Sequence, residues 1–336
     1  MIVHENGYAV FSPTVVLTYE KLGGYYPHCK GAYMQKILLI INPVSGTGKQ
    51  RARTVIFNIV NFLSQHKCHT TIFATTHQGN ATELTKAHAA SHDRIICCGG
   101  DGTLNEVLSG LAVLDIKIPV GYIPTGTTND LAHAIGLASN TKRAMHLALF
   151  GTPRDLDMGT YNDDKFFSYV ASFGAFSKVA YETPQWLKNR LGRASYFFYG
   201  IPEIAEIRSH RIRIETDNME IDGEFVFGSV SNSTVIAGVV KLPEDKIQLD
   251  DGKFEVMLVK TPKGPLDLHN IVQGLANQEY NEESVLFFTT SKVTFTFEEN
   301  VPWTIDGEYA GENYKVTIGN LHRKVQIMVD GMGNYW

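Results

Sequence analysis

The chain has 336 residues, enough for two domains or one large one, and 43% of them are hydrophobic. Its 30 Lys and Arg against 35 Asp and Glu leave a net charge of −5, which argues against a nucleic-acid partner. No apolar run reaches the roughly 20 residues that cross a bilayer, and no basic stretch followed by an apolar core opens the chain.

Residues 1–33 carry Gly23-Gly24 and Tyr25-Tyr26-Pro27 with little periodicity, and read as a loosely attached extension of unknown role. The first strong strand, Lys36–Asn42, runs into N-P-V-S-G-T-G-K, where Pro43 and Gln50 break the Walker pattern. The helix after it lines up Ala52, Val55, Ile56, Ile59 and Leu63 on one face. A second strand, Thr70–Thr75, leads to Gly79 and a helix opened by Asn80, with Glu83 in capping-box position. His88 and His92 stand four apart, as zinc ligands can; without a third candidate they read as solvent-facing.

The stretch that organises the chain is Cys97–Leu111, C-C-G-G-D-G-T-L-N-E-V-L-S-G-L. Continuous apolar residues enter it and an i, i+3, i+4, i+7 pattern leaves it: a buried strand, a tight turn and a helix. Gly99, Gly100 and Gly102 are expected to supply φ > 0 and to let a ligand approach bare backbone. Such a turn at a helix N-terminus suits phosphate, and Asp101 inside it calls for a cation in between, which predicts a nucleotide phosphate site with Mg2+. Cys97 and Cys98, on opposite faces of the strand, read with Cys29 and Cys68 as reduced cytoplasmic thiols.

Another strand, Ile118–Ile123, precedes P-T-G-T-T-N-D-L-A, and a helix over Thr141–Phe150 stops at Gly151. This alternation predicts a doubly wound parallel sheet with its special loops at the C-terminal strand ends. Beyond Arg154 the pattern becomes mainly antiparallel β, read as a sandwich. Its strands are expected at Phe166–Ser172, Arg211–Glu215, Val226–Ser231, Phe254–Lys260, Lys292–Phe297 and Lys315–Ile318, with an aromatic helical segment at Pro184–Arg208. Lys324–Asp330 is strand-like and fits either half. The boundaries are 1–33 for the extension, 34–155 for an α/β domain that 320–336 could complete, and 156–319 for the sandwich.

N-P-V-S-G (Asn42–Gly46), G-G-D-G-T-L-N-E (Gly99–Glu106) and P-T-G-T-T-N-D (Pro124–Asp130) stand in the order and setting of the diacylglycerol kinase catalytic domain. The chain resembles the soluble bacterial YegS/BmrU-like lipid kinases of that family, relatives of sphingosine and ceramide kinases. L-G-R-A-S-Y (Leu191–Tyr196), P-E-D-K-I-Q-L-D-D-G-K-F-E-V (Pro243–Val256) and I-D-G-E (Ile305–Glu308) extend the resemblance from Met34 to the end. It implies ATP-dependent phosphorylation of a lipid hydroxyl, with diacylglycerol as the default acceptor. Thr75, Gly99, Gly100, Asp101, Gly102, Thr103, Leu104, Asn105 and Thr127 are the implied nucleotide contacts, and Asn42 and Ser45 shape the same pocket. Asp101 and Glu308 are the implied catalytic carboxylates, with Glu308 as general base. Asp251, with carbonyls of Gln248 and Lys253, is the implied structural Mg2+ site; relatives often have Leu where Lys253 stands.

I-D-G-E also occurs at Ile221–Glu224, where Asp222-Gly223 is expected to make a tight turn, while Glu308 is expected to be partly desolvated. Reversible contact with a membrane surface is expected through Lys188, Arg190 and Arg193 beside Trp186, and a homodimer is left open. Two other readings are an NAD kinase-like enzyme, which shares G-G-D-G, and a nucleotide-binding regulatory protein that has lost transfer.

Overall fold

Six residues, Lys36–Ile41, form a strand whose last five side chains are all buried, so both faces of the sheet it joins must be covered. In the computed structural model the described residues are 14–17, 34–45, 49–126, 129–137, 140–174, 208–232, 235–236, 240–241, 248–264, 266–268, 270–271, 274, 281 and 283–331. The chain divides into two compact units, one of Met1–Ala132, Gly136–Arg154 and Val325–Gly333, the other of His133–Ile135, Asp155–Lys324 and Asn334–Trp336.

The first unit contains β1 (Thr14–Leu17), β2 (Lys36–Ile41), α1 (Lys49–Gln65), β3 (His69–Ala74), α2 (Asn80–His88), β4 (Arg94–Gly99), α3 (Asp101–Leu114), β5 (Val120–Pro124), α4 (Asp130–Ala134) and α5 (Thr141–Phe150). Strands pair in the order β1-β3-β2-β4-β5, with β3, β2, β4 and β5 parallel. Ile37, Leu39 and Ile41 meet Ile59 and Leu63 of α1 and Ala144, Met145, Ala148 and Leu149 of α5. Each such buried aliphatic side chain is worth about 1.5–3 kcal/mol, so this contact fixes the register of β2. Helix α5 has the bounds its sequence predicts: Asn140 caps it by accepting from the N–H groups of Lys142 and Arg143, and Gly151 follows its last residue.

The remaining strands are β6 (Thr152–Tyr161), β7 (Lys165–Phe167), β8 (Val170–Gly174), β9 (His210–Thr216), β10 (Glu220–Ser231), β11 (Val235–Ile236), β12 (Val240–Lys241), β13 (Phe254–Lys260), β14 (Val285–Thr290), β15 (Lys292–Ile305) and β16 (Glu308–Val329). In the second unit β15, β8, β10, β13 and β14 are antiparallel neighbours, and β9 pairs with β10 and β15. Trp303, Phe173, Phe295, Phe225, Phe254 and Val230 are among the side chains of its core. The closing run returns to the first unit, where Ile327 pairs in parallel with Val120 of β5.

Several expectations are corrected. His88 stacks on Phe73 at 4.4 Å, and His92 is half-buried with Nε2 2.9 Å from Thr71 Oγ1, so neither faces free solvent. Glu83 does not close a capping box: the N-cap of α2 is Gly79 at φ 85°, which has no side chain to contribute. Asp222-Gly223 is no turn; it lies within β10 opposite Arg213 and Ile212, because the chain has already reversed at Asp217-Asn218. Strands β10, β15 and β16 outrun their predicted limits, since antiparallel pairing carries them through locally unremarkable sequence. The expected helical segment at Pro184–Arg208 lies outside the described residues up to residue 207.

The N-terminal extension holds β1, which pairs antiparallel with β3, Thr14 opposite Phe73 and Leu17 opposite Thr70. It therefore covers the outer edge of β3. A chain beginning at Met34 is expected to keep β2–β5 but expose that edge, and so to self-associate with rising concentration. Light scattering on the shortened chain against the full one checks this; identical monodisperse behaviour would remove β1 as an edge cover.

Candidate nucleotide site and catalytic carboxylates

Parallel pairing brings four strand ends together: Ile41 stands opposite Ala74, Ile41 opposite Cys98, and Gly99 opposite Pro124. The loops that follow leave from one edge of the sheet, the edge where open α/β sheets take ligands. Asn42 Nδ2 donates to Thr103 Oγ1 at 3.1 Å, and Asn42 Oδ1 accepts from the Val44 N–H at 3.1 Å. Ser45 Oγ and Thr125 Oγ1 lie 2.8 Å apart, and the Thr125 N–H donates to Gly99 O at 2.8 Å. The three motifs singled out in the sequence thus form one hydrogen-bonded cluster.

The glycines serve it differently from expectation. Neither Gly99, Gly100 nor Gly102 has φ > 0; Gly100, the N-cap of α3, is at φ −90° and ψ −175°. Their value is space. A Cβ on Gly99 would lie 2.6 Å from the Thr103 Cβ, and one on Gly126 would lie 2.7 Å from the Gly100 Cα. Two loops touch backbone to backbone beside the N-terminus of α3, the end of a helix where a phosphate is favoured. That cradle fits a nucleotide's phosphates by shape and by donor chemistry.

Asp101 is the first residue of α3 and is half-buried, favourably placed for a carboxylate on a helix dipole. Gly102 and Asn105 are half-buried in the same helix. Thr103 and Leu104 are buried, and the Leu104 N–H already donates to Gly100 O at 3.1 Å, so Leu104 acts through packing. Thr75 is half-buried, with its N–H given to Ile41 O at 2.8 Å. Thr127 lies outside the described residues. Asn129, not singled out in the sequence, sits at φ 49° and donates to Gly126 O at 2.9 Å, closing the third loop. Burial pushes the Cys98 thiol up to about 12, and that of Cys97 well above its usual range, so both are inert here.

In the second unit the late I-D-G-E is a two-residue hairpin. Ile305 pairs with Glu308, and Asp306 and Gly307 have φ 49° and 81°, the doubly positive geometry that favours Asp-Gly. Asp306 is buried, and its carboxylate accepts from the N–H groups of Ser168, Tyr169 and Val170 at 2.7, 3.0 and 3.0 Å and from Ser168 Oγ at 2.8 Å. These amides are why β7 and β8 are two strands where the sequence suggested one. Burial pushes Asp306 up to about 6 against those hydrogen bonds, which favour the ionised form. Glu308, expected to be partly desolvated, is exposed on the hairpin that Asp306 anchors, because the turn points it away from the core.

Around the expected metal position, Gly252 has φ 80° and Asp251 Oδ1 accepts from the Lys253 N–H at 2.9 Å. Gln248, Asp251 and Lys253 are exposed. Buried Asp157 holds this turn, accepting from Gly252 N–H at 2.7 Å, Asn320 Nδ2 at 3.1 Å and Arg323 N–H at 2.6 Å. The expected donors, a carboxylate and two backbone carbonyls, are all oxygens, the class Mg2+ takes, and the Lys253 carbonyl already accepts from Asn320 Nδ2 at 3.2 Å. No group of three or more His, Cys, Asp or Glu arranged to hold a metal occurs among the described residues. No described helix is long and apolar enough to cross a membrane.

Residues 36–161 match the diacylglycerol kinase catalytic domain. A diacylglycerol kinase of Bacillus subtilis is 30% identical over 298 residues, covering 88% of this chain and 97% of that protein. The chain belongs to the diacylglycerol kinase family. As a member it is an enzyme of the kinase class. A diacylglycerol kinase of Staphylococcus haemolyticus is 29% identical over 290 residues, 86% of each chain. A solved diacylglycerol kinase structure from Bacillus anthracis shares the fold at TM-score 0.69 and 22% identity, covering 90% of this chain and 99% of that one. The family match spans all four strand-end loops described in the first unit, the three motif loops among them.

In this family framework Gly126→Ala is expected to be far worse than Gly100→Ala. The first added Cβ meets backbone at 2.7 Å; the second sits 3.3 Å from the Gly126 Cα, a few tenths of an ångström from tolerable. Overpacking of the first kind costs about 1–3 kcal/mol, read as a lower Tm together with weaker ATP binding. Equal behaviour of the two variants would show that the loops do not touch as described.

Asp306→Asn gives a pH test. The folded pKa lies above the ordinary carboxylate value, so wild-type stability from this group is present at low pH and lost as pH rises through about 6. The amide cannot titrate and offers one acceptor oxygen to four donors. Its Tm deficit is therefore expected at both pH 5 and pH 8, and to be larger at pH 5. A deficit that grows toward pH 8 would mean that Asp306 is held below its ordinary pKa.

Proposed function

We propose that the protein is an ATP-dependent lipid kinase that transfers the γ-phosphate to a lipid hydroxyl, with diacylglycerol as acceptor and phosphatidic acid as product. The observation that carries this is the cluster of three strand-end loops, Asn42–Ser45, Gly99–Asn105 and Thr125–Gly126, held together by side-chain hydrogen bonds around touching glycine backbones. The naming of the similar bacterial proteins as diacylglycerol kinases supports the choice of acceptor. It also weighs against the NAD kinase-like reading, since only the shared G-G-D-G favoured that.

In this reading residues 34–155, completed by the chain's end, form the nucleotide domain, and 156–319 form a β-sandwich that takes the lipid. Phosphoryl transfer needs the phosphate held still, its charge neutralised and the hydroxyl aimed in line. The α3 amides and the bare glycine backbone hold the phosphates; Thr75 and Thr127 contact the nucleotide; Asn42 and Ser45 shape the wall. Asp101 faces the phosphate region, where Mg2+ supplies charge neutralisation when bound. Asp251, Gln248 and Lys253 would hold a second, structural Mg2+ through oxygen donors. Glu308 accepts the proton from the lipid hydroxyl, and Asp306 fixes the hairpin that carries it. The enzyme works in the cytoplasm by reversible contact with the membrane surface, and no nucleic acid takes part; a homodimer fits the reading. Lys188, Arg190, Arg193 and Trp186, the residues expected to make the membrane contact, lie outside the described residues.

The test is the pair Glu308→Gln and Glu224→Gln. Loss of a general base costs about 100- to 10,000-fold in rate, so the first is expected to lower kcat by that much with ATP affinity kept. Glu224, exposed in β10 opposite Arg211, is expected to change little. Labelled phosphatidic acid from a lipid extract with labelled ATP identifies the acceptor. Near-wild-type turnover by Glu308→Gln would shift the base assignment to Asp101.

A further inference from the structure

Helix α2 starts with a problem that its own sequence does not solve. Its N-cap is a glycine at φ 85°, and no side chain on α2 caps the first turn, whose N–H groups lack intrahelical partners. The solution comes from the neighbouring helix. Glu106, the last residue of G-G-D-G-T-L-N-E, places Oε1 2.7 Å from the Gly79 N–H and Oε2 3.0 Å from the Ala81 N–H. Its backbone carbonyl accepts from Thr82 Oγ1 at 2.8 Å. One turn further along α3, Gly110 allows close approach: a Cβ there would lie 2.7 Å from the Thr85 Cβ and 3.1 Å from Thr82 O. Both oxygens of one carboxylate are thus engaged by amides at a helix N-terminus, where a negative charge is favoured and such bonds are strong.

The consequence lies in what each helix carries. The segment before α2 begins at Thr75, whose N–H is fixed to Ile41 O at 2.8 Å, and ends at Gly79, held by Glu106. The start of α3 is the glycine loop. We infer that Glu106 is a positioning residue of the nucleotide site: it sets the Thr75–Gly79 loop against the Gly99–Asn105 loop through the N-terminus of α2, without touching the nucleotide. This rests on the proposal that those two loops bind ATP. It also explains why the motif ends in a carboxylate, one helical turn beyond Gly102.

The test is Glu106→Gln, which keeps the shape but offers one acceptor oxygen to two N–H donors. Mg-ATP binding is expected to weaken about tenfold, with KM for ATP rising in step, while kcat and the lipid KM stay unchanged. Amide hydrogen exchange is expected to speed up over Thr76–Glu83 and nowhere in the second unit. Lys86→Gln is the control: it removes a charge from the exposed last turn of α2, away from the loop, and is expected to leave ATP affinity alone. Thr82→Val cuts only the reciprocal bond and is expected to weaken ATP binding about threefold, which keeps the test usable if Glu106→Gln folds poorly. Unchanged ATP affinity in both Glu106→Gln and Thr82→Val would overturn the inference. So would a fall in kcat at constant ATP affinity, which would put Glu106 in the chemistry. A wild-type protein that binds no Mg-ATP would instead overturn the nucleotide reading on which the inference rests.

Discussion

The contact of Gly100 with Gly126 is the constraint on which the candidate nucleotide site depends. Two loops from adjacent parallel strands can meet at this backbone distance only if Gly126 carries no Cβ, and they meet comfortably only if Gly100 carries none either. Once they meet, Ser45 reaches Thr125 and Asn42 reaches Thr103, beside the first amides of α3. The amides are then held by a buried sheet rather than by a mobile loop. Preorganised donors of that kind are what transition-state stabilisation of a phosphoryl group needs, because no reorganisation is left to the moment of reaction.

Much of this was legible in the sequence, for identifiable reasons. The switch from a continuous apolar run to helical spacing after Cys98 located β4, the turn and α3, because burial on both faces leaves that signature. Asn140 and Gly151 bounded α5, since cap chemistry is local. What failed was non-local. Glu106 is 27 residues from Gly79, and nothing near Gly79 announces that its N–H is met from α3; the local candidate, Glu83, was chosen instead. The glycine turn was located correctly but explained wrongly, because sequence cannot distinguish a glycine needed for φ from one needed for room.

The two copies of I-D-G-E show how far context governs. In the first, Thr216 and Met219 already close a turn, the Thr216 N–H donating to Met219 O at 2.9 Å. The chain has reversed, so Asp222 and Gly223 must extend, and Asp222 pairs with Arg211 at 3.3 Å on the exposed face of the β9–β10 ladder. In the second, no turn precedes V-P-W-T, and Asp-Gly takes the reversal with both residues at positive φ. Identical tetrapeptides thus become a strand or a hairpin according to where the nearest earlier turn lies. The expectation had this reversed for the first copy, and for the second it placed the final strands later than Glu308, where β16 in fact begins.

The carboxylates of the molecule sort by what faces them. Asp157 and Asp306 are buried, each met by at least three hydrogen-bond donors, and Glu106 by two amides; such groups hold loops in place. A carboxylate enclosed by fixed donors makes a poor base for a substrate, because its oxygens are already engaged and out of the substrate's reach. A base must instead combine access to substrate with a fixed position. The proposal for Glu308 draws on both: it is exposed, and it sits two residues after an Asp306 clamped by three backbone amides and a hydroxyl. On the proposed reading, the desolvation that would raise such a carboxylate toward neutrality comes with the lipid itself, so its basicity is set when the acceptor binds.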